Sequence, residues 1–598
     1  MNSPNKINDF CIDIATVNGT GSVSANVILS KTFVALGVHI APKNIFPSNI
    51  QGLPTWFRIR VSPKAYRCSK EGVDFAVLLN PATATEDLNH VRDGGVVIFD
   101  SDEISLPPAG QSRLITSPVP ITTLAKDLFK NPRQRQFAKN MIYVGAVTEL
   151  LGIAESVVDD VVRKQFEKKP DVFDFNYQAI KSGRKWLKEH PVESPFELIP
   201  NPLVKERFLI EGNESVAWGA LYGGCTLLAW YPITPATGIG DSINSIFPKH
   251  RTDSKSGKRK YAVVQAEDEL AAIGMVLGGG WAGARAMTVT SGPGISLMAE
   301  FVGLGYYAEV PAVIVDVQRV GPSTGLPTRT SQQDIGFVAT LSHGDTKHPM
   351  LLPASPTECF EMTQMAFDLA DRFLTPVFVM TDLDLGMNIW LTEEFKAPTK
   401  PIDRGKILTE NDAEKLKTCG RYLDVDGDGI PYRALPGTPH PKAAVCLRGT
   451  GHDEFGTYSE NPVVFSRNLS RLDKKFETLR VSLPQAIVHS NKHNSVGVIA
   501  YGTTHWVMEE AIDCLGKNAP DYIRLLSFPF ADNVEDFIKN HEKVIVIEQN
   551  RDVQMCRLLQ TAYPKFAGRI VGIGNCDGWP LTAERAIKNL KPFLEGGR

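Results

Sequence analysis

The chain has 598 residues, of which 43% are hydrophobic and 22% charged, and its net charge is −3. This length exceeds what one hydrophobic core supports and predicts several domains of ordinary globular composition. The nearly balanced charge excludes a role that rests on global attraction to nucleic acid, and no apolar run is long enough to cross a bilayer. Because no basic segment followed by an apolar one opens the chain, we predict a cytoplasmic protein.

Nine cysteines are scattered along the chain, and no two form a CxxC pair. Zinc ribbons and ferredoxin-type clusters need such closely spaced thiolates. The sequence therefore predicts no metal site held by this chain alone, while a cluster shared through a partner stays open.

The first region runs from about Asp9 to about Glu189, and its short apolar runs alternate with helical patterns. This alternation predicts a parallel α/β domain, which we place at residues 1–195. The charged segment from Pro170 to Ser194 is interpreted as a linker. The apolar runs are Val73–Leu79 and Gly95–Asp100.

A glycine-containing turn, Thr16–Ala25, follows the first strand and opens a helix. Gly19 and Gly21 would let backbone N–H groups approach a phosphate. No acidic residue occurs between Asp13 and Glu71, so a ribose-binding carboxylate for NAD is missing. The basic residues in that stretch favour a polyphosphate ligand, and the alternative is a tight strand–helix turn with solvated lysines.

The second region, residues 205–400, begins with a helix at Gly212 for which Asn213 is a candidate cap. Its near-continuous apolar strands are typical of a parallel sheet covered on both faces. Residues 401–485 form a loop-rich connecting segment, and residues 486–598 repeat the α/β pattern on a smaller scale. The predicted strands of the second region are Thr226–Trp230, Tyr261–Gln265, Ala286–Thr290, Ala312–Asp316 and Pro376–Met380; those of the last are Val496–Ala500, Lys543–Ile547 and Arg569–Ile573.

The segment Tyr231-Pro-Ile-Thr-Pro235 follows the first strand of the second region. Each proline fixes its own φ and favours extended geometry in the residue before it. The Thr234 hydroxyl is therefore held firmly at the carboxyl end of a strand, where α/β sheets bind ligands. The alternative is an ordinary proline-stiffened connection.

The segment Gln265–Met275 places carboxylates where a strand gives way to a helix. Acidic residues at a helix start can act simply as caps that favour the helix dipole. The helix that follows, Leu270 to Gly280, is almost wholly apolar and must be buried. We therefore expect at least one of these carboxylates to border a dry site and to hold a defined protonation state there.

Two later strands also end in polar residues. Ser291 lies in a glycine turn, Thr288–Ile295, that would let a flat ligand approach the backbone. Arg319 lies just past the predicted end of its strand, and its guanidinium suits a substrate carboxylate. The alternative for Arg319 is a surface ion pair.

The segment Asp424–Ile430 resembles the start of a calcium-binding loop. The twelfth position is Leu435, so the bidentate glutamate of such loops is missing. We interpret the segment as a structural acidic turn.

Together these segments resemble the 2-oxoacid:ferredoxin oxidoreductases, specifically the large chain that fuses their γ and α parts, and most closely the 2-oxoglutarate type. The resemblance covers nearly the whole chain. It implies three α/β domains: an N-terminal Rossmann-like γ domain, a pyrimidine-type thiamine-diphosphate domain and a C-terminal transketolase-like domain. The segments are Asn18–Gly21, Phe46–Trp56, Tyr231–Pro235, Gln265–Glu269, Thr290–Gly294, Gly321–Thr328 and Asp428–Gly437.

The resemblance implies thiamine diphosphate shared with a β subunit, which would carry the diphosphate site, Mg²⁺ and a [4Fe-4S] cluster. Coenzyme A would be the co-substrate, ferredoxin the electron acceptor, and (αβ)2 the expected heterotetramer. The implied reaction converts 2-oxoglutarate and CoA reversibly into succinyl-CoA and CO2, as in the reductive TCA cycle. Neither nucleic acid nor a membrane is an expected partner.

The resemblance also implies roles for single residues. Glu269, with Glu267 as second choice, would pair with the pyrimidine N1′, beside Tyr231, Pro232 and Ser291. Thr234 and Arg319 would hold the substrate, with support from Thr328. The residues expected to contact CoA are Ser22, Asn26, Lys43 and Asn49.

The identity of the 2-oxoacid stays open in the sequence. His343 or Lys347 would meet a distal carboxylate and so favour 2-oxoglutarate, whereas a surface turn explains both residues equally well. One alternative is the same chemistry on pyruvate or a branched-chain 2-oxoacid. Another is a non-catalytic subunit that serves assembly.

Overall fold

The computed structural model describes residues 6–47, 52–107, 113–200, 204, 208–490 and 495–595. The chain forms two compact units. The first comprises the residues up to Ile210 together with Asn388–Glu394 and Thr582–Glu584, and the second comprises the rest. The predicted α/β class is confirmed, while the finer boundaries predicted inside the second unit stay a prediction.

The first unit contains a six-stranded sheet in the order β3-β4-β2-β5-β6-β7. The sheet is mixed rather than parallel as predicted, because β4 runs antiparallel to both of its neighbours. Short connections allow this antiparallel pairing, whereas β5, β6 and β7 add in parallel. The elements are β1 (Lys6–Ile7), β2 (Phe10–Val17), α1 (Ser22–Ala35), β3 (Ile40–Ile45), β4 (Pro54–Val61), β5 (Val73–Leu78), α2 (Ala84–His90), β6 (Val91–Asp100), β7 (Ile115–Val119), α3 (Ile121–Leu128), α4 (Pro132–Leu150), α5 (Glu155–Gln165), α6 (Pro170–Glu189), β8 (Phe196–Glu197) and β9 (Phe208–Glu211).

The predicted linker from Pro170 to Ser194 is wrong, because most of it forms helix α6. This helix packs closely on α4 through two glycines. A Cβ on Gly145 would lie 2.0 Å from the Ile180 carbonyl oxygen, and one on Gly183 would lie 2.0 Å from that of Ile142. The charged residues that suggested a linker are the outer face of an amphipathic helix.

The second unit contains an eight-stranded sheet in the order β11-β10-β12-β13-β16-β15-β21, where β21 is Ser527–Phe528, with β14 paired to β13. Its five central strands are parallel, as predicted. The elements are α7 (Gly212–Tyr222), β10 (Leu227–Trp230), α8 (Thr237–His250), β11 (Ala262–Gln265), α9 (Glu269–Trp281), β12 (Ala286–Thr290), α10 (Gly292–Tyr307), β13 (Ala312–Val320), β14 (Leu326–Thr330), α11 (Ile335–Ala339), β15 (Met350–Leu351), α12 (Pro356–Phe373), β16 (Pro376–Asp382) and α13 (Leu383–Met387); strand β17 (Ile389–Thr392) belongs to the first unit.

A five-stranded sheet in the order β18-β20-β19-β22-β23 forms the C-terminal part of the second unit. The segment before it contains one long helix, α15, within the region predicted to be loop-rich. The elements are α14 (Glu410–Lys415), α15 (Pro462–Ser482), β18 (Ile487–His489), β19 (Val496–Tyr501), α16 (Thr504–Leu515), β20 (Asp521–Leu525), β21 (Ser527–Phe528), α17 (Asp532–Lys539), β22 (Lys543–Glu548), α18 (Gln554–Ala562), β23 (Ile570–Gly574) and α19 (Ala583–Glu595). Within the described ranges, no helix has the length and apolar character needed to span a lipid bilayer.

Two local predictions in the second unit differ from the structure. Asn213 does not cap α7, since it lies inside the helix, and its side-chain amide instead donates to the Pro235 carbonyl at 2.8 Å. Strand β13 continues to Val320, so Arg319 lies within the strand rather than just past its end. The extension forms because β14 folds back and pairs with β13 at Arg319.

Candidate active site

The order of the parallel strands places a topological switch point between β10 and β12. The chain leaves β10 to form β11 on one side and then crosses to form β12 on the other. Ligands of open α/β sheets bind at the carboxyl ends of strands at such a point, because the connections diverge there and leave a crevice. The connections that follow β10, β11 and β12 begin with Tyr231, Ala266 and Ser291.

Glu269 and Glu267, two residues apart, differ sharply in their surroundings. Glu269 is the first residue of α9 and only 6% exposed, whereas Glu267 is exposed. The capping role suggested by the sequence belongs to Asp268, whose carboxylate accepts from the Ala271 N–H at 2.7 Å. No described residue donates a hydrogen bond to the Glu269 side chain. Glu269 is therefore a buried carboxylate with its acceptor capacity free.

The start of α10 packs directly against Glu269. A Cβ on Gly294 would lie 2.8 Å from the Glu269 Cγ and 2.0 Å from the Thr290 Oγ1. Only glycine fits this position without displacing one of these side chains. The Glu269 carboxylate thus lies at the mouth of the glycine turn that was predicted to admit a flat ligand.

Arg319 joins this region from β13. It is 7% exposed, and its Nη1 donates to the Thr234 carbonyl at 2.6 Å. Burial lowers the pKa of the guanidinium, while the charges of Asp334 and Glu269 act in the opposite direction. The surface ion pair considered for Arg319 is absent among the described residues, because its side chain contacts the proline-bounded loop instead.

Several buried polar atoms near these groups have no hydrogen-bond partner in the described part of the chain. One lies in the middle of β12, one just past the end of β12 and one near the end of β13. The atoms are Thr288 Oγ1, Ser291 Oγ and Arg319 Nε. Buried polar groups are normally satisfied, and Ser291 Oγ and Arg319 Nε are the two of these atoms that lie at the strand ends, where a polar ligand would complete them.

Three residues near the site, Asn213, Asp316 and Asp334, were not predicted to belong to it. Asn213 holds the 231–235 loop through the Pro235 carbonyl. Asp316 lies in β13 and is fully buried, and burial together with the neighbouring Asp334 raises its pKa well above the usual range. The available signal was an acidic residue inside the otherwise apolar run Ala312–Val317.

The other predicted contacts of the second unit are dispersed. Tyr231 is 38% exposed and Pro232 half-buried. Thr328 lies on β14, where its carbonyl accepts from Arg329 Nη1 at 2.9 Å. Lys347 pairs with Asp473 at 2.5 Å and His343 is exposed, and no described contact joins either to Arg319 or Thr234.

Three of the four residues expected to contact CoA lie in the described part of the first unit. Ser22 begins α1 and its Oγ accepts from Thr16 Oγ1 at 3.1 Å, while Asn26 accepts from the Tyr143 hydroxyl at 2.6 Å. Lys43 is 3% exposed, with its Nζ 3.8 Å from the ring centre of Trp390. Asn49 lies outside the described residues.

The segment that resembles a calcium loop is held by its own backbone. The Asp424 carboxylate accepts from the N–H groups of Gly427 at 2.7 Å and Gly429 at 2.9 Å. Asp426 and Asp428 both pair with Lys406. These contacts account for the acidic residues as parts of a structural turn.

Two protein-family models match the chain. Residues 11–186 match the family "Pyruvate ferredoxin/flavodoxin oxidoreductase". Residues 218–404 match the thiamine-diphosphate-binding domain of pyruvate flavodoxin/ferredoxin oxidoreductases. The second range contains Thr234, Glu269 and Arg319.

Curated relatives match over nearly the full length. Subunit alpha of 2-oxoacid:ferredoxin oxidoreductase 2 from Aeropyrum pernix is 31% identical, and the alignment covers 98% of both chains. The 2-oxoglutarate oxidoreductase subunit KorA from Mycobacterium tuberculosis is 29% identical over 99% of this chain and 92% of its own. The chain belongs to the 2-oxoacid:ferredoxin oxidoreductases, as a fused α-type subunit.

A solved structure has the same fold. The 2-oxoglutarate:ferredoxin oxidoreductase from Magnetococcus marinus, solved with 2-oxoglutarate, coenzyme A and succinyl-CoA bound, is 27% identical. The match covers 98% of this chain and 100% of that one, with a TM-score of 0.88. The resemblance inferred from the sequence is thereby confirmed at the level of family and fold.

Proposed function

We propose that this chain is the α-type subunit of a 2-oxoglutarate:ferredoxin oxidoreductase that couples oxidative decarboxylation of 2-oxoglutarate to succinyl-CoA formation and ferredoxin reduction. The observation that carries the proposal is a buried carboxylate, Glu269, and a buried guanidinium, Arg319, at one topological switch point. The KorA relative and the Magnetococcus marinus enzyme favour 2-oxoglutarate over other 2-oxoacids.

The crevice fits the aminopyrimidine end of thiamine diphosphate. Glu269 offers a free carboxylate for the ring N1′, and the close approach at Gly294 leaves a flat entrance beside it. Ser291 Oγ supplies a further polar atom without a partner. When bound, the cofactor supplies the carbanion chemistry of decarboxylation, while the protein supplies orientation and electrostatics. Glu269 would hold the proton exchanged with N1′.

Arg319 is suited to hold the substrate carboxylate until it leaves as CO2. A guanidinium has five N–H donors in a planar fork, and one of them is occupied by the Thr234 carbonyl. That contact holds Nη1 in place. Other donors of the guanidinium remain available, since Nε has no partner in the described residues. Thr234 would add its hydroxyl to the substrate, and Thr328 would support it from β14.

The first unit is proposed to contact CoA through Ser22, Asn26, Lys43 and Asn49. Lys43 is the strongest of these candidates, because it is a buried cation in contact with an aromatic ring. Its neighbourhood includes Arg67, another basic side chain, beside Ile389 and Trp390.

A partner subunit would complete the site. Helices α9 and α10 expose an apolar surface beside Glu269, here called the α9–α10 face: Leu270, Ala271, Gly274, Met275, Gly278 and Leu297. Leu270, Met275 and Leu297 are each more than 40% exposed. Exposed apolar patches of this kind mark interaction sites. The partner would carry the diphosphate site, Mg²⁺ and the [4Fe-4S] cluster in an (αβ)2 assembly.

The test is an assay of the chain purified with and without its co-expressed β subunit. We expect methyl viologen reduction that requires both 2-oxoglutarate and CoA and that the α chain alone does not perform. Faster turnover of pyruvate or a branched-chain 2-oxoacid would reassign the substrate. A folded complex that turns over none of these 2-oxoacids would support the assembly role instead.

A further inference from the structure

Asp316 and Asp334 form a pair of carboxyl groups beneath the site. Asp316 lies on a central strand, opposite Thr290 of β12 and Met380 of β16, and is 0% exposed. Asp334 follows β14 and lies close to Gly292, the first residue of α10. A Cβ on Gly292 would be 2.9 Å from each of the two Asp334 carboxylate oxygens. The pair is thus enclosed between the strand ends and the start of α10.

The Asp334 N–H donates to Gln318 Oε1 at 3.1 Å, and Gln318 lies two residues after Asp316, on the same face of β13. This contact places Asp334 beside Asp316, and the interaction between the two carboxyl groups raises the pKa of Asp316. Neither Asp316 oxygen receives a hydrogen bond from any other described residue, and Asp334 Oδ2 is equally without a donor. Two ionised carboxylates cannot stay in contact in a buried place without a proton between them. The geometry therefore requires a proton, as in carboxyl dyads that hold one proton in common.

The charged groups around the pair are few. Arg319 acts on Asp334 from β13, and Glu269 acts on Arg319 from the start of α9. Asp382 on β16 accepts a hydrogen bond from Thr503 at 2.6 Å. Helix α10 presents its N-terminal backbone, which favours an anion.

The asymmetry of these neighbours assigns the proton. Burial, and next the charge of Asp334, raise the pKa of Asp316 well above its usual range. Burial raises the pKa of Asp334 to about 6, although the hydrogen bond from Asp316 and the charge of Arg319 lower it. These directions favour Asp316 as the protonated partner and Asp334, on which the charge of Arg319 acts, as the carboxylate.

We propose that Asp316 and Asp334 share one proton and so keep a single negative charge beside Arg319, which positions the guanidinium for the 2-oxoacid carboxylate. The charge of Asp334 acts on Arg319, and the Thr234 carbonyl accepts a hydrogen bond from Arg319 Nη1. Both aspartates are positioning residues, since they act through Arg319. This positioning role rests on the proposed function, whereas the shared proton does not.

The shared proton is tested on the α chain without any assay of activity. The native state keeps a proton on the carboxyl pair that the unfolded chain releases. The free energy of unfolding therefore decreases as the pH rises from the carboxyl pKa of the unfolded chain towards that of the folded chain. We expect the urea midpoint of the wild-type chain to fall between about pH 5 and 8, and that of Asp316→Asn to fall less. If the urea midpoints of the wild-type and Asp316→Asn chains change equally with pH, the shared proton is overturned.

The positioning role is tested in the complex. Asp316→Asn keeps a donor to Asp334, so we expect its KM for 2-oxoglutarate to stay within about threefold of wild type. Asp334→Asn removes the charge, so KM should rise about tenfold or more with kcat little changed. The wild-type KM should also rise below about pH 6, where Asp334 takes up a proton, and the Asp334→Asn KM should not.

These outcomes separate the two claims. A pH-independent wild-type KM, or an Asp334→Asn complex with wild-type KM, overturns the positioning role. If the wild-type complex is inactive on 2-oxoacids, the proposed function is overturned. If the urea midpoints nevertheless depend on pH as expected, the shared proton is still supported.

Discussion

At the residue scale, the site depends on which side chain is buried and which of its atoms are free. Glu267 and Glu269 have the same chemistry and differ by two positions, yet only Glu269 is enclosed. A buried carboxylate keeps a defined protonation state because water does not compete for its hydrogen bonds. This difference makes the two glutamates a matched pair for mutagenesis.

We predict that Glu269→Gln lowers kcat of the complex by about 10²-fold or more, since it removes the carboxylate that we propose exchanges a proton with N1′. Glu267→Gln should leave kcat within about twofold, because surface substitutions disturb little. The measurement is CoA-dependent viologen reduction at saturating 2-oxoglutarate. Loss of activity in Glu267→Gln alone would transfer the role to that residue.

Residue identities at the site were partly predictable. Thr234, Glu269 and Arg319 stand out because polar residues that follow apolar strands meet at one edge of a sheet. The Asp316–Asp334 pair was not predictable, because their contact depends on β14 folding back and bringing position 334 to β13. His343 and Lys347 were singled out for their chemistry, and the structure offers no contact that joins them to the site.

At the element scale, close packing of α10 against the start of α9 shapes the crevice. Gly294 touches Thr290 and Glu269, whereas a Cβ on Gly278 of α9 would meet nothing within 4 Å. The two glycines lie in the same pair of helices and differ only in their surroundings. Packing therefore requires glycine at position 294 but not at position 278.

Gly294→Ala should lower the free energy of unfolding of the α chain by about 1–3 kcal/mol, because its methyl group overpacks the contact with Thr290. Gly278→Ala should be neutral or stabilising by up to about 1 kcal/mol, since alanine favours an exposed helix position. Urea denaturation followed by circular dichroism measures both. Equal effects of the two substitutions would argue against the packing described at α10.

Elements were predicted well where apolar runs were long and poorly where charge dominated. The parallel strands of the second unit appear within a few residues of their predicted bounds. Helix α6 was taken for a linker, since the glycine-mediated contact with α4 that buries its inner face is not visible in a charged sequence. Strand β13 extends past its apolar run because β14 pairs with the polar extension.

At the scale of the whole molecule, the α9–α10 face suggests that the chain works as half of a site. It adjoins Glu269 and carries no charged side chain among its six residues. A partner covering it would exclude water from the crevice and strengthen the electrostatic interactions within it. The family assignment was accessible from the sequence because the motifs follow one another in a specific order, whereas the oligomeric state was not.

Leu297→Arg should weaken association with the β subunit by about tenfold or more, because it places a charge in an apolar interface. Val481→Arg is the matched control, since Val481 is also an exposed aliphatic residue, 65% exposed, but lies on α15. Mass photometry of the co-purified complex measures both. An intact Leu297→Arg complex would place the partner elsewhere.

The most direct test of the central claim is Arg319→Ala, assayed as an intact complex with its thiamine diphosphate content verified. If Arg319 holds the substrate carboxylate, kcat/KM for 2-oxoglutarate falls by about 10²-fold or more, because a charge-assisted bidentate contact is lost. A complex that retains wild-type kcat/KM would contradict the claim that Arg319 and Glu269 form the α-subunit half of a 2-oxoacid site.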